Sequence, residues 1–402
     1  MSPRPYIPSS IDELEKLFEV SKDDSQVLRA LLEELTNRNT SRAKKLRTAV
    51  EKQLTEHSDS NASAVSAKAG MTKAVKHQLH TYVHARNLRE AMAFCGEIGT
   101  DSGNDIACDA SGLQFVDPVG LCLLAATCHK LANVGKKLML ENVPPAIADH
   151  LARMDLFKAC GIEYREKFTR HDRRTDLVEI CVTDKAAEGE QLASKIVTAL
   201  VGATPDFDPN AKPDEMTGYL PHDYLHLPLH YIFSELLENA LTHAKRAGYK
   251  DARTWVAAQY YRKEDRIRLA VLDNGCGLLG SLERHPSLAE KSHAAAIQIA
   301  FEPRVTCNPD LELRPNETAN QGVGLTVVRE IVAQGRGVLR LVSGNAFVEQ
   351  KGNSQPRILS ISPWQGVAPA LEFKREMLRE VNVGNIIHEL RRRPGPGGLR
   401  FE

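Results

Sequence analysis

Apolar positions along the chain first recur at helical spacing. Ile11, Leu14 and Phe18 share one face, and Val27, Leu28, Leu31, Leu32 and Leu35 form a second stripe. Ser10 and Glu13 make a capping-box pattern ahead of the first. The spacing predicts two amphipathic helices. Residues 40–57 are charge-rich and 58–69 (SDSNASAVSAKA) are small and polar, the texture of a flexible connection or a weakly packed helix. The pattern changes near residue 104. Residues 105–109 and then 113–116 read as a buried strand leading to a turn, 119–132 as an apolar helix, 137–141 as a strand and 146–154 as a short helix. This β-α-β-α alternation predicts a small sheet with helices packed on it. Farther on, 176–183 reads as a strand, 190–201 as a helix, 204–221 as a Pro- and Asp-rich loop and 228–246 as a long helix. Ile267, Leu269 and Val271 alternate with Arg268 and Ala270 in a strand, and a helix over 324–332 is expected to end at Gly335. No repeat with a period of 20–50 residues is visible.

Length and composition narrow the picture. A chain of 402 residues has room for two or three domains. With 42% hydrophobic and 26% charged residues it can build packed cores, which excludes a wholly disordered chain. Fifty-two Lys and Arg balance 52 Asp and Glu, so no global field draws nucleic acid or an anionic membrane, and charge-driven binding has to be local. The apolar run 121–128 is far too short to cross a bilayer, and the first residues lack the apolar core of a secretory signal. These features predict a cytoplasmic protein. The eight cysteines (95, 108, 122, 128, 160, 181, 276 and 307) are dispersed without a Cys-x-x-Cys pair, so they read as reduced structural residues, with neither a zinc site nor a disulfide framework suggested.

Candidate chemistry gathers in the second half. Glu235, Asn239 and His243 fall at i, i+4 and i+8 of the predicted long helix, along one face, while Leu236, Leu237, Ala240 and Leu241 occupy the other sides. Alone this is also the pattern of an amphipathic helix with a solvated stripe. The strand at 267–271 runs into Asp273-Asn274-Gly275-Cys276-Gly277; a carboxylate at a strand end can accept an exocyclic N–H of adenine, and the glycines permit a sharp turn beside the base. Asp-Asn-Gly is equally an ordinary turn. Gly322-Val323-Gly324-Leu325 opens a helix, where free backbone N–H groups suit phosphate oxygens.

Taken in order, SELLENALTHA, VLDNGCGL and NQGVGLTVVREIV resemble the N, G1 and G2 boxes of the GHKL ATPase superfamily, to which gyrase, heat-shock chaperone, histidine kinase and mismatch-repair ATPases belong. The resemblance covers about 185–373. It implies a Bergerat-type α/β sandwich binding ATP and Mg²⁺, with Asn239 as metal ligand, Glu235 as the catalytic base, Asp273 reading adenine, and Gly275 and Gly277 shaping the pocket. Gly322, Gly324 and Leu325 would lie at the phosphates. Members with a Gly-Thr pair near the last strand place the Thr on the adenine side; this chain has Gly366-Val367. The 44 residues of 278–321 imply a lid over the nucleotide, in which Arg304 and Lys291 are either γ-phosphate ligands or solvated surface charges.

A second resemblance lies upstream. The run DASGLQFVDPVGLCLLAATCHKLANVGKKLMLENVPPAIADHLARMDLFKACGI, residues 109–162, is similar to the C-terminal half of the STAS domain of anti-sigma-factor antagonists. Phosphorylatable members carry Asp-Ser-Ser-Gly at the helix start; here it is Asp117-Pro118-Val119-Gly120, with no hydroxyl. An interaction or scaffold role follows. In the tail, HELRRRP at 388–394 resembles the phosphoacceptor box of histidine kinases, but the Pro/Gly run after it leaves no room for a second hairpin helix.

The expected fold is a mixed α+β and α/β multidomain chain: a helical segment at 1–80, a STAS-like β-α domain at 81–169, a GHKL ATP-binding domain at 170–373 and a tail at 374–402. The expected function is an ATPase-driven conformational switch coupled in cis to the STAS-like domain, with a regulatory protein partner of the sigma/anti-sigma kind. The alternatives are a Ser/Thr protein kinase acting on a separate STAS partner, and a module that holds ATP without turnover.

Overall fold

The computed structural model describes residues 10–21, 25–36, 38, 40–65, 76–103, 105–170, 177–306 and 323–392. The chain divides into two compact units, Met1–Lys73 and Ala74–Glu402.

The first unit holds α1 (Ile11–Val20), α2 (Ser25–Thr36) and α3 (Ser41–Val65). The capping box forms: the Ser10 hydroxyl accepts from the Glu13 N–H and the Glu13 carboxylate accepts from the Ser10 N–H. Leu14, Phe18, Leu28, Leu31 and Leu35 meet Ala43, Leu46 and Val50 in one small core. That last contribution explains α3, which runs as one helix through a stretch whose sequence also suited a flexible connection. Its first three turns are anchored by buried residues, and Arg42 bridges Asp12 and Glu15 at 2.6 and 2.7 Å.

The second unit opens with β1 (Lys76–Gln78), β2 (Tyr82–Val83), α4 (Leu88–Thr100), β3 (Asp105–Asp109), β4 (Phe115–Val116), α5 (Pro118–Ala132), β5 (Lys137–Glu141), α6 (Pro145–Arg153) and α7 (Leu156–Ala159). Strand β1 falls within the segment read as helical; three residues are too few to show a period. Strands β1, β3 and β5 form a parallel sheet in that order with β3 central, and β2 pairs with β4 in a separate parallel ladder.

There follow β6 (Leu177–Thr183), α8 (Gly189–Gly202), α9 (Asp223–Glu238), β7 (Thr254–Tyr261), β8 (Arg266–Asp273), α10 (Gly277–Leu282), α11 (His293–Ala300), α12 (Gly324–Gln334), β9 (Val338–Lys351), β10 (Arg357–Lys374), α13 (Arg375–Leu378) and α14 (Val383–Arg392). Five of the strands make an antiparallel sheet ordered β6-β7-β8-β10-β9.

Strand alternation gives this sheet two buried faces. Val256, Ala258, Leu269, Val271, Leu341 and Leu371 face a core shared with α8, α9, α12 and α14. Trp255, Ala257, Ala270, Leu272, Ala368 and Ala370 point the other way and join a core with α4 and α5, which Ile106, Cys108 and Leu138 of the small sheet complete. Helix α5 is therefore packed between two sheets, and its composition reflects this: 12 of its 15 residues are buried, with no polar stripe. Residues 374–392, read as a tail, continue this fold, since α14 buries Ile386 and Leu390 in the α9–α12 core. His388 is exposed on its outer side.

The start of α5 is the tightest join. Asp117 caps it, accepting from Gly120 N–H at 3.1 Å and, through its other oxygen, from Ala85 N–H at 2.9 Å. A Cβ on Gly120 would lie 2.1 Å from the Val83 carbonyl oxygen. Gly120→Ala is therefore expected to destabilise the second unit by about 1–3 kcal/mol, the scale of core overpacking, read as a lower urea midpoint at unchanged slope.

Candidate functional site

Helix α9 starts five residues earlier than the periodicity indicated, because Leu225 and Leu229 belong to the core, and Pro228 sits inside it. At its end the geometry changes. Asn239–His243 is one turn of π-helix, closed by the Ala244 N–H donating to the Asn239 carbonyl at 3.3 Å, five residues back. The regular i, i+4, i+8 row therefore ends at Asn239. Such single wide turns inside helices occur often at functional sites, and no residue type in the sequence announced this one.

The turn forms one wall of a cleft enclosing about 1240 Å³, its mouth included. Glu235, Asn239, Asp273, Gly277, Gly324 and Leu325 all line it, so residues from α9, β8, α10 and α12 that are up to 90 positions apart meet in one cavity. His243, Thr242 and Arg246 line it as well. Gly275 does not. A Cβ there would fall 2.2 Å from the Ala244 carbonyl oxygen, so its bareness lets the turn after β8 press against the end of the π-turn. Gly322 lies outside the described residues.

Asp273 is 3% exposed, and Val271, Leu278, Leu341, Val367 and Pro369 are apolar residues lining the same cavity. Burial pushes its carboxyl up to about 7, although the Gly275 N–H, at 2.9 Å, and the Val367 N–H both donate to it. Gly277 has φ of +70°, and a Cβ on it would meet the Ser343 hydroxyl at 3.0 Å, so this turn requires glycine on both counts.

Glu235 lines the same cavity from α9. Burial raises its carboxyl above the usual range, partly offset by a hydrogen bond with Tyr231. A Cβ on Gly324, the first residue of α12, would lie 1.9 Å from Glu235 Oε2. The glycine thus gives the carboxylate room at the helix N-terminus, where negative charge is favoured. His243 is driven by burial, and secondarily by Arg246, down to about 4, so it is neutral near pH 7 and offers no cationic charge.

Over the cavity lies a small apolar cluster of its own: Leu282, Leu288, Ala296, Ala300 and Val305, with Leu278 and Leu325 packed against it. Helices α10 and α11 are thereby tied together, and α11 is capped by Ser292, whose hydroxyl accepts from Ala295 N–H at 3.1 Å. Lys291 is exposed and paired with Glu283 at 3.8 Å. Arg304 is exposed at φ +66°, and neither it nor Lys291 lines the cavity. Missed by sequence reasoning were Trp364 and Gln365 on β10: the Trp364 indole donates to the Asp273 carbonyl at 3.1 Å and the Gln365 amide to the Asn274 carbonyl at 2.7 Å, while Gly366 beside them lies against the Asp273 backbone. Only the Gly366-Val367 pair carried a signal.

Residues 225–356 match the family described as histidine kinase-, DNA gyrase B-, and HSP90-like ATPase. The match spans about a third of the chain and contains every cavity residue expected from the sequence. The chain therefore carries a GHKL-type domain over these residues, a class that binds ATP, usually with Mg²⁺, and supports ATPase- or kinase-type activity. No characterised protein and no solved structure matches the chain. Among the described residues no helix is long and apolar enough to cross a membrane, and no cluster of His, Cys, Asp and Glu could hold a metal ion by itself. Seven cysteines are free thiols; burial raises Cys95 to about 11 and Cys108 to about 12, which makes them poor nucleophiles. Cys307 lies outside the described residues.

Proposed function

We propose that the second unit is an ATP-driven conformational switch: Mg-ATP occupies the cleft between α9, α12 and the five-stranded sheet, and a STAS-like module at residues 76–170 is its fixed partner in cis. The observation carrying this reading is that Glu235, Asn239, Asp273 and Gly324 line one cavity. Its apolar lining and the buried Asp273 carboxyl suit a base with an exocyclic amine. The start of α12, at Gly324, suits phosphates.

Each residue then has a task. Asp273 accepts the adenine amino N–H while Gly275 and Val367 hold its carboxylate in place. Asn239 would offer a neutral oxygen to Mg²⁺, which would offset phosphate charge. Glu235, less acidic than a solvated glutamate, orients and deprotonates the attacking water. The α10–α11 pair, tied together by Leu282, Leu288, Ala296 and Ala300, is the lid, and Ile297 of α11 anchors it to the core under the sheet.

The burial of the α5 start favours a switch over phosphorylation in cis. Asp117 is 3% exposed and adjoins Arg268 on the sheet face opposite the cleft, with Arg268 paired to Glu372 at 2.9 Å and stacked over Tyr261. A phosphoryl group would have to cross the sheet to reach that turn, which in any case lacks a hydroxyl. The module therefore serves as a docked scaffold, and the protein partner of the switch is a separate chain.

Phosphate release combined with limited proteolysis tests the reading. Mg-ATP should slow cleavage within residues 278–306 in the full chain, and phosphate should be released at a steady rate. Saturable binding with neither effect would leave an ATP-holding module, and label passed to an added STAS protein would favour the kinase.

Binding should also depend on pH. An acceptor must be ionised, and the free Asp273 carboxyl sits near 7; a bound amine stabilises the ionised form and lowers that value in the complex. Affinity therefore rises with pH through about 7 and levels off above, falling up to tenfold for each pH unit below. Adenosine, which has no phosphate to titrate, is the clean probe by calorimetry. An affinity flat from about pH 6 to 8 would contradict the assignment.

A further inference from the structure

Four consecutive residues of β10 touch the turn that carries Asp273. Trp364 and Gln365 donate to the carbonyls of Asp273 and Asn274, at 3.1 and 2.7 Å. Gly366, at φ +99°, passes so close that a Cβ would fall 2.1 Å from the Asp273 carbonyl oxygen. The Val367 N–H reaches the carboxyl itself. This stretch spans the second of two adjacent breaks in the β10–β9 register, Ser360/Trp364 and Trp364/Val367, where a bulge releases the strand from regular pairing and re-aims its side chains.

Trp364 and the residues just before it make a second contact. Ile361 and Trp364 pack against the core containing α4 and α5. A Cβ on Gly96 of α4 would stand 3.9 Å from the Ser362 Cβ, ordinary van der Waals distance. One face of the bulge thus rests on the 76–170 module while the other grips the aspartate turn at the cleft.

We infer that Trp364 and Gln365 are positioning residues for the Asp273 carboxylate, and that through them nucleotide occupancy of the cleft is coupled to the packing of α4 on β10. This rests on the reading of the cleft as a nucleotide site and names how its state reaches the module on the far side of the sheet. A buried acceptor at a strand end recognises a base only if its backbone is held, and here two side-chain donors hold the Asp273 and Asn274 carbonyls. Any shift of Asp273 on binding is delivered to the indole, which already belongs to the other core. Coupling is reciprocal: a change in the α4 contact alters nucleotide affinity by the same factor as nucleotide alters that contact.

The chain has only two tryptophans, Trp255 and Trp364, so 5-fluorotryptophan labelling of the full chain gives two ¹⁹F resonances, assigned with Trp364→Phe. ADP should move the Trp364 resonance and leave Trp255 in place. Trp364→Phe keeps an aromatic side chain, though a smaller one, and drops the donor, and is expected to weaken ADP binding roughly 3–10-fold, the scale of one hydrogen bond. Gln365→Ala, at an exposed position that folding tolerates, should act in the same direction. On the far side, Gly96→Leu, which crowds Ser362, should alter ADP affinity although it lies outside the cleft. Parent-like affinity in Trp364→Phe and Gln365→Ala, with an unmoved Trp364 resonance, would overturn the clamp and leave the nucleotide site standing. A parent chain that binds no ADP would remove the site and the clamp together.

Discussion

Asp273→Asn is expected to reduce ATP affinity by about 10- to 100-fold. The carboxylate accepts from Gly275 and Val367 through N–H bonds and would accept the adenine amine as well. An asparagine has one acceptor oxygen, and its amide nitrogen cannot face a donor, so one of these N–H groups is left unpaired in a buried site. Losing a hydrogen bond to a charged group costs about 1.5–3 kcal/mol, which sets the range. Calorimetry on both proteins reads it, and equal affinities would place the base elsewhere.

The other large effect falls on turnover. Glu235→Ala should retain Mg-ATP while phosphate release falls by roughly 10²-fold or more, the range for loss of a general base. Asn239→Ala should differ in kind, weakening binding more in Mg²⁺ than in EDTA, because what it removes is a metal ligand. The structure adds a constraint on Glu235: Gly324 must stay bare, since a Cβ there would occupy the carboxylate's position. Unchanged release in Glu235→Ala would remove its catalytic role.

Much of this site was legible in the sequence because the residues that do polar chemistry sit beside strong local signals. Asp273 ends an alternating strand, Gly324 opens a helix, and Asn239 lies on a face whose neighbours are leucines. What escaped had no local signature. The π-turn at Asn239–His243 is made by packing, and Gly275 looked like a pocket glycine until its contact with Ala244 showed it to be a packing one. Trp364 and Gln365 hold the aspartate turn from 91 residues away, a relation that only the antiparallel pairing of β8 with β10 creates.

The fold shows the same division. Strands β3 and β5 and helix α5 were apparent from residue type alone. Helix α4 was not, although Leu88, Ala91, Met92, Cys95 and Ile98 are buried at helical spacing, because Gly96 and Gly99 interrupt the stripe. Nor did the sequence reveal that α5 faces two sheets. Its uniform apolarity was the clue: a helix without a polar face has to be covered on every side, and here the outer face of the five-stranded sheet supplies the second cover.

The central claim is that the base of ATP lies against Asp273 in the cleft, and photolabelling with 8-azido-ATP tests it most directly. The azide forms its adduct where the base sits, and peptide mapping locates it. The predicted result is saturable labelling, blocked by excess ATP, within residues 271–282 or 367–369, which include Asp273 and apolar residues of the cavity lining. Label confined to Met1–Lys73, or label that excess ATP does not displace, would contradict it.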